Sequence, residues 1–143
     1  MGESSSTMQL TRAADYAVRV MIHLATLPAH QRARLPELAH ATAAPESFLS
    51  KVLQGLCRAG LIVSQRGQSG GFEILPPGRQ ASIRAVIEAI DGPIRLNVCL
   101  ISGASCPRKT HCPVHPIWVK AQEAMLEVLD TATVAELAVV PRP

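Results

Sequence analysis

The sequence is poor in aromatic residues and lacks any long apolar run. Phenylalanine, tyrosine and tryptophan make up 3% of its 143 residues, whereas hydrophobic residues as a whole make up 48%. A core of small and aliphatic side chains with few aromatics is typical of a helix-rich fold. No apolar run reaches the roughly 18 residues that a membrane-spanning helix needs, so we expect no contact with a membrane.

The chain also lacks the marks of a secreted protein and of an enzyme. Its N-terminus, MGESSST, is polar, where a secretory signal carries a basic start and an apolar centre. We therefore expect a cytoplasmic protein. No nucleophile, base and orienting carboxylate occur together, and no phosphate-binding glycine loop follows a strand. The sequence thus predicts a binding protein and not an enzyme.

Positive charge is concentrated in the first part of the chain. Residues 1–84 hold nine basic and five acidic side chains, whereas residues 85–143 hold five basic and six acidic ones. A basic segment joined to a nearly neutral one indicates a polyanionic partner for the basic segment only. A mixed-charge surface that simply keeps the protein in solution would look similar.

Apolar residues recur at helical spacing in three segments near the N-terminus. Thr11 is placed to cap a first helix that runs to about Leu27. A second helix is expected over about Leu35–Thr42. A third helix opens with Pro45 in its first turn and stops at Gly60, because glycine readily adopts the left-handed conformation that ends a helix.

Two short β-prone runs follow, LIVSQ (61–65) and GFEIL (71–75), joined by the glycine-rich connector RGQSG. Three helices and a hairpin in this order predict a mainly α fold, a winged helix-turn-helix with a β-hairpin wing. In that module the third helix enters the DNA major groove and the wing reaches the backbone or minor groove. Protein-interaction modules can share this plan. The side chains predicted to contact double-stranded DNA are Ser47, Ser50 and Lys51 on the third helix and Arg66, Gly67, Gln68, Ser69 and Gly70 in the wing.

The C-terminal part of the chain predicts further helices. SIRAVIEAI (82–90) forms a short one, and Thr133 to Glu136 form a capping-box pattern that opens a last short one. Between them, PIWVKAQEAMLEVLD (116–130) predicts a long amphipathic helix for dimerisation, and hence a homodimer on a palindromic operator. The alternative is that its apolar stripe folds back on its own domain. The stripe consists of Ile117, Trp118, Ala121, Ala124, Met125, Val128 and Leu129.

Three of the four cysteines lie in one loop before the long helix. Cys99, Cys106, Cys112 and His115 have the spacing Cys-x6-Cys-x5-Cys-x2-His. Because disulfides are uncommon in the cytoplasm, such a cluster predicts metal ligands or a redox centre. Thiolates suit both iron-sulfur centres and zinc, although zinc sites more often contain a two-residue cysteine spacing. A thiol switch without metal and a small electron-transfer protein also remain open, while the remaining Cys57 is expected to pack as a small apolar group.

Three stretches and the spaced cysteines together resemble a known family. They are MQLTRAADYAVR (8–19), SFLSKVLQGLCRAGLIVSQRGQSGGFEI (47–74) and ASIRAVIEAIDGP (81–93). The chain resembles the Rrf-type winged-helix iron-sulfur transcription regulators, the IscR/NsrR/RirA family. The resemblance implies a DNA-binding regulator, expected to be a repressor, that senses iron, redox or nitric oxide status through a labile cluster of the 2Fe-2S or 4Fe-4S type.

The resemblance also implies which residues hold the cluster. Cys99, Cys106 and Cys112 match the family's three cysteines, although the usual spacing of five residues is six and then five here. The fourth ligand is His115, which matches the histidine of the IscR type, or Asp15 of the partner subunit, which matches the carboxylate of the NsrR type. The expected divisions are a DNA-binding domain (8–93), a cluster loop (94–115), a dimerisation helix with a short helix (116–138), and tails (1–7 and 139–143).

Overall fold

The computed structural model describes residues 10–97, 100 and 112–139, and its first half contains three helices. The Thr11 side chain caps the first helix by accepting a hydrogen bond from the Ala14 amide at 3.0 Å. Pro45 occupies the N-cap of the third helix, one position before the first turn where the sequence placed it. The helices are α1 (Arg12–Thr26), α2 (Leu35–Thr42) and α3 (Glu46–Arg58).

The core lies between the apolar faces of these helices. On α1, small and medium side chains at helical spacing are fully buried, and α3 contributes a matching leucine-rich face. Their burial removes apolar surface from water and is the main source of stability for the fold. The buried set includes Ala17, Val20, Met21 and Leu24 of α1 and Leu49, Val52, Leu53 and Leu56 of α3.

A two-stranded antiparallel sheet follows α3, as the sequence predicts. Strands β1 (Ile62–Gln65) and β2 (Gly71–Ile74) pair with Ile62 opposite Ile74 and Gln65 opposite Gly71. The hairpin loop is residues 66–70, which we call the wing loop. The predicted winged helix-turn-helix plan is therefore confirmed in its element order.

One helix escapes sequence-based prediction. Helix α4 (Pro76–Gln80) covers PPGRQ, whose prolines and glycine would ordinarily indicate a turn. Two prolines are tolerated because they occupy the start of the helix, where amide groups have no intrahelical partner. Gly78 lies so close to β1 that a Cβ there would be 2.2 Å from the Leu61 carbonyl oxygen. Tertiary packing therefore holds this short helix in place.

The described residues of the C-terminal part form three helices: α5 (Ile83–Asp91), α6 (His115–Asp130) and α7 (Val134–Ala138). The predicted capping box is present, because the Thr133 and Glu136 side chains each bond the other's backbone amide. Helix α6 begins at His115, so this residue belongs to the helix and not to the loop preceding it. No helix in the described part of the chain is long and apolar enough to cross a bilayer.

A polar link joins α5 to the end of α6. Asp130 accepts a hydrogen bond from the Ser82 hydroxyl at 2.9 Å and another from Arg84 Nη1 at 3.1 Å. The backbone continues this link, because the Ile83 amide donates to the Ala132 carbonyl at 3.1 Å. The C-terminal end of α6 is thereby fixed to the start of α5.

We predict that the Asp130 link makes a pH-dependent contribution to stability. The Ser82 hydroxyl and then the Arg84 guanidinium lower the pKa of Asp130 below its ordinary value. A carboxylate whose pKa is lower in the folded state stabilises the fold above its unfolded pKa, and the stabilisation is lost as pH falls toward the folded pKa. We therefore expect Asp130→Asn to lower the midpoint of thermal unfolding at pH 7 and to have a smaller effect below about pH 4.

The matched control is Glu127→Gln, which neutralises an exposed carboxylate on the same helix. We expect this variant to unfold like the original protein at both pH values. An equal loss of stability for Asp130→Asn at pH 7 and pH 3 would contradict the assignment.

Candidate functional site

Helix α3 presents a polar face to solvent. Ser47 and Lys51 are exposed, and Ser50 is partly exposed beside them. These residues are spaced three and four positions apart and therefore lie on one side of the helix. The leucine-rich side described above is buried, so α3 is oriented with its polar side outward.

The wing loop projects most of its residues into solvent. Arg66, Gly67, Gln68 and Ser69 are exposed, whereas Gly70 is buried at the base of the hairpin. Gly67 has a φ of 102°, and the Gly70 amide closes the turn on the Gly67 carbonyl at 3.0 Å. The loop thus requires glycine for its backbone conformation and places the Arg66 side chain at the surface.

The segment between α1 and α2 pairs with the wing. Ala33 exchanges two backbone hydrogen bonds with Phe72 of β2, at 3.0 and 2.8 Å. Arg34 Nη2 donates to the Gly67 carbonyl at 2.9 Å and also to the Gln68 carbonyl. Sequence reasoning missed this contact. The available signal was the alternation of arginines around Ala33, which is the spacing of one face of a strand.

Arg32 contacts the same wing from the other side of Ala33. Its Nη1 donates to the Ser69 carbonyl at 3.4 Å, and its Nε lies 3.5 Å from Glu73 Oε1. The latter contact is an ion pair without hydrogen-bond geometry, since Nε has no hydrogen-bond partner within the described structure. His30 Nδ1 lies 3.3 Å from the other Glu73 oxygen. Basic groups therefore surround the one carboxylate of β2.

Of the predicted metal ligands, two lie within the described residues of the loop and of α6. Cys112 is partly buried, and the His115 amide donates to the Cys112 carbonyl at 3.3 Å. The Nδ1 atom of His115 is buried and has no hydrogen-bond partner in the described part of the chain. Cys99 and Cys106 lie outside the described residues. Among the residues described, no group of three or more His, Cys, Asp or Glu side chains is close enough to hold a metal.

Asp15, the alternative fourth ligand, already has a partner within its own chain. Its Oδ2 atom lies 3.1 Å from Arg19 Nε, one turn further along α1. Both side chains are well exposed, so the pair is weak by itself. A bridging role for Asp15 toward another subunit would require this ion pair to be shared or broken.

Cys57, the fourth cysteine, packs against the core from helix α3. It is partly buried, and this burial raises the pKa of its thiol, although a hydrogen bond with Ser64 opposes the shift. A raised pKa keeps the group as a thiol at neutral pH, and thiols are poor ligands and nucleophiles. These properties agree with the packing role that the sequence predicts.

The apolar stripe of α6 divides into two parts. Trp118, Met125 and Leu129 are partly covered, while a second row of the stripe is exposed. No residue of α6 is buried. The exposed row is Ile117, Ala121, Ala124 and Val128, with Ile117 55% and Val128 66% exposed.

The element order, the outward polar face of α3 and the paired wing define a winged helix-turn-helix, a class of DNA-binding proteins. Residues 10–139 match the Rrf2 family, described as iron-dependent transcriptional regulators, and the chain therefore belongs to that family. It is a DNA-binding transcription regulator, and the resemblance carried by its wing and cysteine segments is confirmed.

Two relatives and one solved structure illustrate the similarity. The protein aau3 of Rhizobium meliloti is 34% identical over 131 residues, which span 91% of this chain and 84% of the relative. The transcriptional regulator NsrR of Geobacillus kaustophilus is 31% identical over 131 residues, 91% of this chain and 89% of its own. CymR, described as the global cysteine regulator of B. subtilis, is 25% identical, with a TM-score of 0.73 over 95% of this chain and all of its own. The expectation of a regulator and not an enzyme agrees with these relationships.

Proposed function

We propose that this regulator is controlled by an iron-sulfur cluster that is bound next to the start of α6. The buried Nδ1 atom of His115 is the observation that carries the proposal. A buried polar atom without a partner costs free energy, so each such atom in a native protein calls for an explanation, and a bound metal is one that fits a histidine nitrogen beside a cysteine. The proposed ligands are Cys99, Cys106, Cys112 and His115.

The chemistry of this donor set fits an iron-sulfur cluster. Three soft thiolates suit iron-sulfur centres, and a single nitrogen ligand among them makes one iron easier to attack. When bound, the cluster supplies a site that reacts with oxygen or nitric oxide or is lost when iron is scarce. His115 fits the fourth position better than Asp15 does, because the turn that links it to Cys112 holds both in one place, whereas Asp15 is paired with Arg19.

Several contacts lead from the ligand residues to the DNA-binding domain. Cys112 and His115 stand at the first turn of α6, and Gln122 in the middle of this helix accepts a hydrogen bond from the Leu96 amide at 2.8 Å. At its far end α6 is fixed to α5 through the Asp130 link described above. A change at the ligands therefore acts on a helix that is attached at its far end to the DNA-binding domain and in its middle to the segment that follows this domain, which favours regulation of DNA binding through α6.

We further propose that α6 forms the interface of a homodimer. Its exposed row combines two alanines with two larger apolar residues at helical spacing. Small residues let two helices approach closely, and the flanking Ile117 and Val128 then become buried on association. A dimer with two-fold symmetry would place two wings and two α3 helices on a palindromic operator.

The proposed contacts with DNA follow from exposure and charge. On α3 they use the polar face described above, and at the wing they use the backbone and side chains of a glycine-rich loop. Backbone amides and arginine suit phosphate or a narrow minor groove, while side chains of the helix read base edges. The proposed set is Ser47, Ser50, Lys51, Arg66, Gly67, Gln68 and Ser69, together with Gly70, which is buried and belongs to the set because its amide closes the turn of the wing loop.

A structural zinc ion bound by the same four ligands, or a thiol switch without metal, is the alternative for the cysteine loop. The description of CymR as a cysteine regulator indicates that this fold serves more than one signal. An electron-transfer role is disfavoured, since a cluster carrier needs neither a wing nor a DNA-reading helix.

We predict that anaerobically purified protein contains iron and sulfide and shows the visible absorption and Mössbauer spectra of an iron-sulfur cluster. His115→Ala should lower the iron and sulfide retained and alter the spectrum of the iron it bound. Asp15→Ala should leave the iron and sulfide content and the spectrum unchanged. His40→Ala, at an exposed histidine of α2, serves as the matched control.

Colourless protein that contains zinc but neither iron nor sulfide would instead establish the zinc alternative. A spectrum that changes in Asp15→Ala and not in His115→Ala would assign the fourth position to the carboxylate. A cluster indifferent to both changes would leave the fourth ligand unassigned to either residue and refute this part of the proposal.

We predict that the protein sediments as a dimer at micromolar concentration and that Ile117→Glu or Val128→Glu yields monomers. A charge placed in a buried apolar contact is costly, so the dimer dissociation constant should rise by more than about tenfold. Glu123→Lys, on the opposite side of α6, is the control and should remain dimeric. Monomeric wild-type protein at this concentration would exclude the dimer.

We predict that Lys51→Ala and Arg66→Ala each weaken operator binding and that each lowers the slope of log affinity against log salt concentration by about one. Each change removes one cation from the proposed phosphate or groove contacts. Fluorescence anisotropy with a duplex of about 30 base pairs, selected by the wild-type protein from a random library, measures both quantities. Unchanged affinity and slope in both variants would argue against these contacts.

A further inference from the structure

Arg34 joins the helix-turn-helix to the wing. It is the residue before α2, and its extended backbone directs its side chain across to the wing loop, more than thirty positions later in the chain. There its Nη2 atom donates to the Gly67 carbonyl at 2.9 Å and to the adjacent Gln68 carbonyl. Hydrogen bonds from a charged donor are roughly twice as strong as neutral ones.

The wing loop needs such support to hold one conformation. Its two strands have four residues each, and an isolated two-stranded hairpin of this kind is marginal in water. Gly67 and Gly70 add conformational freedom at both ends of the exposed loop. The backbone pairing of Ala33 with Phe72 holds β2 but does not reach the tip, where the side chains of Arg32 and Arg34 make contact instead.

We propose that Arg34 is a positioning residue for DNA binding, which holds the wing loop so that Arg66 faces the nucleic acid. The inference rests on the wing contact assigned to Arg66 above. Arg34 Nη2 donates to two neighbouring loop carbonyls, so this nitrogen is turned toward the wing. Ordering the loop before DNA arrives removes an entropic cost that binding would otherwise carry.

Arg34 is exposed. The competing explanation is that it contacts a phosphate itself. The two roles differ in how the effects of substituting Arg34 and Arg66 on the affinity for DNA combine. A residue that acts mainly through Arg66 has little effect on affinity once Arg66 is removed, whereas the effects of two independent phosphate contacts are additive. They also differ in salt dependence, because an independent contact contributes its own increment to the salt slope.

The test compares four forms of the full-length, anaerobically purified protein: wild type, Arg34→Gln, Arg66→Ala and the double variant. The probe is the selected duplex used above. We expect Arg34→Gln to weaken binding roughly threefold to tenfold in the wild-type background and less than about twofold in the Arg66→Ala background. In the latter background the salt slope should not change further.

A second measurement follows the loop without DNA. The backbone 15N heteronuclear NOE of Gly67, Gln68 and Ser69 should fall in Arg34→Gln, while the values for α3 stay as in the wild type. The charge-matched control is Arg12→Gln, at the first residue of α1. It should leave the NOE values unchanged, and its effect on affinity should be the same in the wild-type and Arg66→Ala backgrounds.

The outcomes separate this inference from the wing contact on which it rests. If the losses of affinity are additive and the salt slope of the double variant is lower by about one than that of Arg66→Ala, Arg34 contacts a phosphate directly. Unchanged NOE values in Arg34→Gln would overturn the positioning role whatever the affinity. An Arg66→Ala variant that binds the duplex like the wild type would refute the wing contact itself. If Arg66→Ala loses affinity as expected but Arg34→Gln does not, only the role of Arg34 is refuted.

Discussion

The packing of α1 is the constraint on which the other elements depend. Its buried face is small where other helices cross it, with Ala14 and Ala17 fully inaccessible to solvent. Side chains of this size let other helices approach α1 closely, and α2, α3, α5 and α7 all pack against it. The Thr11 hydroxyl also donates to Asp91 at 2.6 Å, which ties the start of α1 to the end of α5. Helix α3, for which we propose contact with DNA, and helix α5, to which α6 is attached, therefore pack against the same helix.

Under the proposed function, this arrangement explains how the ligand residues Cys112 and His115 at the start of α6 can influence α3. Close-packed cores transmit small displacements because they have few voids to absorb them. Helix α6 is attached to the core by polar contacts and by half of its apolar stripe, and its other half is exposed. An element held in this way can change its position at a lower cost than α1 or α3, whose apolar faces are fully buried.

Much of the fold follows from local sequence signals. The caps at Thr11 and Thr133, the stop at Gly60 and the apolar periodicity of α1, α3 and α6 place most helix ends within a residue or two. Glycines around Arg66 place the hairpin loop. Each of these features depends on residues within a few positions of one another, so a linear pattern contains the information. Helix α4 does not follow from local signals, because its PPGRQ segment would ordinarily indicate a turn. Its helical conformation depends on packing against Leu61 and against Met21 of α1.

The candidate site shows the same division. By itself the sequence determined the winged helix-turn-helix plan, the family and the cysteine spacing. Each of these depends on neighbouring residues or on the number of residues between two positions. Only the tertiary structure decided that Arg34 reaches the wing loop, that His115 opens α6 with a buried nitrogen that has no hydrogen-bond partner among the described residues, and that part of the α6 stripe is partly covered. These features join groups far apart in the chain or depend on which surface another element covers, and no local pattern encodes that.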